Sequence, residues 1–281
     1  MERTITFEDR VQGALLGFAI GDAMGATTEF MNSAEIRKKH GTLKNIIGGG
    51  WLHLEAGQVT DDTQMTFCVY RGIRSGKGVM IKTLNSICKE FRDWANSNPP
   101  DIGGACYRAI YGTDGVSALA WKKANRDRQR LTGVQDYGNG GLMRCLVPCL
   151  MADLNIAVAQ SALTHTNVLC NIQVKLYYDA LWAAMNGSKP TDVEWHEPTG
   201  HALNTERNAE FWLGATESFE DAVIGAVNDG GDADTIAALT GGLAGAYYGM
   251  QAIPGQWIRQ LNPETVTALM EVSDFILSHH Q

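Results

Sequence analysis

Two acidic segments, far apart in the chain, have the form of a hard-cation site: Thr60-Asp61-Asp62-Thr63 and Gly230-Gly231-Asp232-Ala233-Asp234-Thr235. Each stands where helical periodicity begins, and a carboxylate at a helix start is favoured by the macrodipole and the orphan N–H groups. Capping alone needs one such residue, whereas here a carboxylate pair with a threonine occurs twice. Four carboxylates brought together repel unless a cation lies among them, and donors made only of oxygen suit Mg²⁺, Mn²⁺ or Ca²⁺ better than zinc. From spacing alone, capping and metal binding both stand.

Three further elements carry weaker signals. Gly21-Asp22-Ala23-Met24-Gly25 permits tight backbone and leads to Glu29 on a loop. Gly138-Asn139-Gly140-Gly141 precedes a helical pattern, an arrangement whose backbone N–H groups can hold a phosphate and which also serves as a plain turn. His165, in Leu163-Thr164-His165-Thr166-Asn167, is by residue type either a ligand contact or a structural hydrogen-bonder.

The elements that must position these residues are helices, because apolar residues recur at helical spacing and no segment alternates with period two. The first helix has Thr6 as cap with Asp9 three residues on; Val11, Ala14, Leu15, Phe18 and Ala19 form its apolar face, and Gly21 is expected to end it. A second begins near Asp61, where Asp61 and Gln64 have capping-box spacing. Further helices are expected over Ile81–Ala95, Ala105–Tyr111, Leu142–Met151, Ile156–Leu163, Val168–Met185, Leu203–Trp212, Phe219–Val227, Thr235–Met250 and Pro263–Ser278. Gly241, Gly245 and Gly249, four apart, let another helix approach closely, so the late helix is expected to be central. Thr28–Val59 and Gly187–Gly200 read as irregular. With no linker or repeat, the expectation is all-α: a single compact multi-helix domain over 1–281.

Composition narrows the function classes. The formal charge of -8, from 23 Lys+Arg against 31 Asp+Glu, disfavours a binder of nucleic-acid backbones. Six cysteines without CxxC pairs or histidines at zinc spacing are expected to be reduced, buried thiols. The charged start MERTITFEDR does not read as a signal peptide, and the expected location is the cytoplasm. The uncharged run Ile236–Ile258 is too rich in glycine for a membrane span and reads as a buried helix. Trp51, Trp94, Trp182 and Trp212 belong to no motif and are expected to pack the core.

The segments GALLGFAIGDAMGATTEF, GQVTDDTQMT, GNGGLMR, LTHTN and GGDADTIAALTGGLAGAYYG, running in order from Gly13 to Gly249, resemble the ADP-ribosylglycohydrolase family. The resemblance implies an all-α fold with a central cleft holding two divalent cations, Mg²⁺ or Mn²⁺. It implies hydrolysis of the bond between ADP-ribose and a modified group, with an ADP-ribosylated protein or small ADP-ribosyl compound as substrate and ADP-ribose as product. Carried over by position, Thr60, Asp61 and Asp62 match ligands of one metal, and Asp232, Asp234 and Thr235 those of the other, with Asp234 reaching both. Glu29 matches a catalytic loop glutamate, and Asp101 falls where an acidic residue lines the cleft. Gly138, Asn139, Gly140 and Gly141 match the diphosphate loop, and His165 a residue of the distal ribose pocket. His201 stands where many relatives carry a tyrosine associated with adenine. Arginine linkages are the favoured substrate, and a monomer is expected. The alternatives are an inactive ADP-ribose-binding protein of the same fold and a hydrolase of another ADP-ribosyl or nucleoside-type compound.

Overall fold

The structure, a computed structural model, describes residues 4–280. Its helices are α1 (Phe7–Gly25), α2 (Ser33–His40), α3 (Asp61–Gly76), α4 (Met80–Asn96), α5 (Gly104–Tyr111), α6 (Ala118–Thr132), α7 (Leu146–Leu150), α8 (Leu154–Ser161), α9 (Val168–Met185), α10 (Ala202–Gly214), α11 (Phe219–Asp229), α12 (Ala233–Tyr248), α13 (Gly255–Gln260) and α14 (Pro263–His279). Among the described residues there is no strand, only the isolated bridges Asn32–Gly230, Gly49–Leu54 and Gly138–His201. The fold is all-α. No described helix is long and apolar enough to cross a membrane.

The chain divides into two compact units. The first comprises the N-terminal part up to Thr60, Asp179–Gly200, and the chain from Asn204 onward. In it, α1 starts as a capping box, with the Asp9 N–H donating to the Thr6 hydroxyl at 3.1 Å and the Asp9 carboxylate accepting in return. The helix runs past Gly21 to Gly25 because Gly21 lies in an interhelical contact and does not end a turn. A Cβ on Gly13, Gly17, Gly21 or Gly25 would stand 2.4, 2.2, 1.9 or 2.3 Å from the carbonyl oxygen of Gly245, Gly241, Ala237 or Ala233. So α1 and α12 run antiparallel, backbone against backbone, and everything in α12 from Ala233 to Ala246 is buried. Gly249 also lies against α1, its carbonyl carbon 2.8 Å from where a Gly13 Cβ would stand, and it caps α12 at φ +78°. The Arg10 guanidinium closes the packing by donating to the carbonyls of Ala184, Ala246 and Tyr247 at 3.1, 2.7 and 2.7 Å, a cation satisfying helix C-termini.

The second unit comprises Asp61–Tyr178 and residues 201–203. Helices α3 and α4 meet at Gly72, where a Cβ would lie 2.4 Å from Ile87 Cγ1. Met65, Cys68, Ile87, Cys88, Phe91 and Trp121 are fully buried in its interior. All six cysteines are buried and none is in a disulfide, and burial pushes Cys68 and Cys88 up to about 12, which makes them inert thiols.

A carboxylate cluster and a glycine loop

In the first unit, α1 unwinds through successive tight turns. Ala26 N–H donates to Asp22 O, and Thr28 and Glu29 N–H both donate to Gly25 O, at 3.0, 2.9 and 3.0 Å. The Thr28 hydroxyl reaches Val227 O at 2.7 Å. The next residues are fastened to the approach of α12: Phe30 N–H donates to Gly231 O at 2.7 Å, and Gly231 N–H to Met31 O at 2.8 Å. Gly231 must be glycine, since a Cβ there would overlap Pro198 O at 1.7 Å and φ is +64°.

These bonds bring Glu29 to Asp232 and Asp234. One carboxylate oxygen from each lies within 4.8 Å of the other two. Glu29 and Asp234 are buried, at 6% and 4% exposure, and Asp232 is half-buried. The side chain of Asp232, although at the N-cap, makes no capping bond to α12, and Asp234 Oδ1 accepts from Thr235 N–H at 2.8 Å. Two like charges about 5 Å apart repel by roughly 3 kcal/mol at an effective dielectric near 20, so two buried carboxylates and a half-buried one at this spacing favour a shared cation. The donor set is all oxygen, which fits Mg²⁺ or Mn²⁺. Thr60, also in this unit, is buried, and its N–H donates to Oδ1 of the fully buried Asp22 at 2.9 Å. Thr235 is buried as well.

Sequence spacing joined the two aspartates of the 230s but treated Glu29 as a separate catalytic group; the geometry gathers all three. It also corrects Trp51. That residue is 46% exposed, not core, and its indole Nε1 donates to Glu29 Oε2 at 2.6 Å. No sequence pattern flags it, because the contact spans a loop with no period. Of the three other tryptophans expected in the core, Trp94 is buried and Trp182 and Trp212 are half-buried.

In the second unit, Asp61 and Asp62 open α3, both buried, at the positive end of its dipole. Asp101 is half-buried in the segment before α5. The glycine loop does not open a helix as expected: Asn139 O accepts from both Leu142 and Met143 N–H, at 2.7 and 2.9 Å, and this tight turn delays the helix to Leu146. The turn carries Arg144 into the interior. There its guanidinium, fully buried, donates to Gln160 Oε1 at 2.8 Å, Thr164 Oγ1 at 2.7 Å and Cys106 Sγ at 3.3 Å, and lies over the Phe91 ring at 4.5 Å.

Thr164 Oγ1 also meets His165 Nδ1 at 2.8 Å, while Nε2 of that buried ring lies 3.3 Å from where a Gly138 Cβ would stand. Burial, with Arg144, Arg108 and Arg128 adding like charge, pushes His165 down to about 3, so the ring is neutral. Gly140 and Gly141 are equally tight, with Cβ positions 2.9 Å from His165 Cε1 and 2.2 Å from Ser161 Oγ. Glycine is required here because side chains already fill the space behind the loop. His201 stacks on Tyr137 at 5.3 Å between centroids and 18° between planes, so a second ring widens the surface that the histidine offers.

The sequence model of the ADP-ribosylglycohydrolase family matches residues 3–208 and 193–280. The chain belongs to the ADP-ribosylglycohydrolase family. This family member is 34% identical to the ADP-ribosyl-[dinitrogen reductase] glycohydrolase of Rhodospirillum rubrum, over 96% of both chains. It is 29% identical to the ADP-ribosylarginine hydrolase Tri1 of Pseudomonas putida, over 90% of this chain and 74% of the relative. A solved structure titled as an ADP-ribosylglycohydrolase-related protein complex superimposes with a TM-score of 0.73 at 27% identity, covering 96% of this chain and 99% of that one. As a member of this family, the protein is a hydrolase of ADP-ribosyl glycosidic bonds.

Proposed function

We propose that the protein removes ADP-ribose from arginine side chains, using two divalent cations, Mg²⁺ or Mn²⁺. The observation that carries this reading is the convergence of buried Glu29 and Asp234 with half-buried Asp232, oxygen donors with no nitrogen or sulfur among them. Asp232, Asp234 and Thr235 are the donors for one cation, and Thr60, Asp61 and Asp62 for the other. When bound, the cations neutralise these carboxylates, orient the ribose hydroxyls and acidify a water.

In the reaction, the bond between ribose C1″ and the guanidinium nitrogen breaks and a water oxygen forms the new bond to C1″. The proton lost by the water ends on the departing guanidine. Glu29 takes and returns that proton, its carboxylate held in place by the Trp51 N–H, as positive charge develops on the ribose. The loop Gly138-Asn139-Gly140-Gly141 holds the diphosphate, with His165 beside it as a neutral hydrogen-bonding group. His201, stacked on Tyr137, takes the adenine. Asp101 supplies further negative charge for a cationic leaving group. The two compact units act as one domain in a cytoplasmic monomer whose partner is an ADP-ribosylated protein.

Three relatives support the arginine reading or its class: the Tri1 proteins of Pseudomonas putida and Serratia proteamaculans are named ADP-ribosylarginine hydrolases, and the mouse protein ARH3, 23% identical, an ADP-ribosylhydrolase. The test is product analysis on arginine-, serine- and ester-linked ADP-ribosyl peptides and on nucleotides. Free ADP-ribose released fastest from arginine is expected. Release of phosphate or free base in its place would overturn the proposal.

A further inference from the structure

We infer that the exposed rings of Phe30 and Trp51 form the seat of the leaving group and select a guanidinium there. The inference rests on the hydrolase reading above and names the residues that give it a preferred linkage.

The two rings are brought together by unusual backbone. Phe30 is 66% exposed, and its φ is +62°, a left-handed conformation that a residue with a bulky side chain keeps only where its surroundings over-determine it. What holds it is the pairing of its N–H with Gly231 O, in the same segment that fixes Glu29 beside Asp232 and Asp234. Trp51 is delivered from the other side by three successive glycines, Gly48, Gly49 and Gly50, at φ +67°, +86° and +68°. Gly50 lies against the end of α1, where a Cβ would stand 2.1 Å from Ala26 O. A pair of bonds between Gly49 and Leu54 closes the loop behind Trp51. The result is an exposed aromatic pair, ring centroids 5.3 Å apart and planes at 48°.

The position of this pair defines its ligand. The Trp51 N–H is spent on the Glu29 carboxylate, so what the indole offers outward is its π face. An electron-rich face beside an anionic carboxylate attracts a planar cation that can stack on the ring while its N–H groups reach the oxygens; guanidinium has both properties. A serine oxygen has neither plane nor charge. Adenine is flat but sits at the far end of ADP-ribose from the bond being cut, whereas the acid–base group at Glu29 must stand at that bond. The rings therefore face the departing group.

The experiment compares wild type, Phe30→Leu and Trp51→Phe on matched arginine- and serine-linked ADP-ribosyl peptides, with calorimetric titration of free ADP-ribose. Phe30→Leu is expected to lower kcat/KM for the arginine peptide about 10-fold more than for the serine peptide, chiefly through KM, the scale of a partly shielded cation–π contact. Affinity for free ADP-ribose should be unchanged. Trp51→Phe keeps a ring but loses the N–H, so its loss should fall on kcat. Equal losses on both peptides, no loss on either, or weakened ADP-ribose binding would overturn the inference while leaving the hydrolase reading intact, as would a wild type that prefers serine. If wild type releases ADP-ribose from neither peptide, the hydrolase reading fails and this inference falls with it.

Discussion

Gly25 and Asp234 touch backbone to backbone: a Cβ on Gly25 would stand 2.6 Å from the Asp234 Cα and 2.3 Å from the carbonyl oxygen of Ala233. The last turn of α1, which leads into Glu29, is thereby held against the first turn of α12, which presents Asp232 and Asp234. The carboxylate cluster is a consequence of this helix contact. Gly25→Ala should cost about 1–3 kcal/mol by overpacking and should also weaken Mn²⁺ binding. Calorimetric unfolding together with a Mn²⁺ titration checks both; a variant that loses stability but keeps its metal affinity would separate the cluster from the helix contact.

In the proposed function Glu29 moves a proton at the scissile bond. Glu29→Gln preserves shape and an oxygen donor, so ADP-ribose should still bind while kcat falls by at least ~10²-fold, the usual scale of acid–base assistance. Single-turnover kinetics with parallel ligand titration tests this, and a near-normal kcat would remove Glu29 from the chemistry.

His165 shapes the acid side of the stability profile. Burial beside Arg144 pushes it to about 3 in the folded protein, below its ordinary 6.5. The unfolded chain therefore binds more protons between those values, and stability present above pH 6.5 is lost as pH falls toward 3. His165→Gln should flatten that limb by up to about 1.4 kcal/mol per pH unit. Urea midpoints at pH 4, 5, 6 and 7 measure it.

The alkaline side has a counterpart in α10. The Glu206 side chain is fully buried, and burial together with the neighbouring Glu210 pushes its carboxyl up to about 9, with Arg207 opposing. Here the folded state holds the extra proton, so stability is fully present below pH 4.5 and declines as pH rises toward 9. Glu206→Gln, which keeps the neutral shape, should raise stability at pH 8 and reduce the slope. Thermal unfolding across pH 6–9 would show it, and an unchanged slope would mean that Glu206 is ionised in the fold.

Most helices were legible because their apolar residues recur at helical spacing: Val168–Met185 matches α9 end to end, and α14 extends the reading by one residue. Two were not. In α2 only Ile36 is buried, so there is no apolar period to see, although Asn32 and Glu35 form a full capping box. In α6 the buried residues are Ala118, Trp121 and Asn125, while Leu119 and Leu131 are exposed and most of the remainder is polar or charged, so the apolar residues mark no single face. The glycines of α12 were recognised as a contact stripe, but their partners Gly13, Gly17, Gly21 and Gly25 were not, because α1 also carries a continuous apolar face. The aspartate pairs were visible as motifs; the joining of Glu29 to one of them, and of Trp51 to Glu29, depends on left-handed turns at Phe30 and Gly48–Gly50 that carry no periodic signal.

In the proposed function, divalent cations held by the carboxylate cluster make the protein an ADP-ribosyl hydrolase. The most direct test is release of ADP-ribose from ADP-ribosyl-arginine peptide by protein stripped with EDTA and then titrated with Mg²⁺ or Mn²⁺, for wild type and Asp234→Ala. Activity lost on stripping, restored by either ion in wild type and absent throughout in Asp234→Ala is the expected result. Undiminished hydrolysis after exhaustive chelation, or full activity in Asp234→Ala, would contradict it.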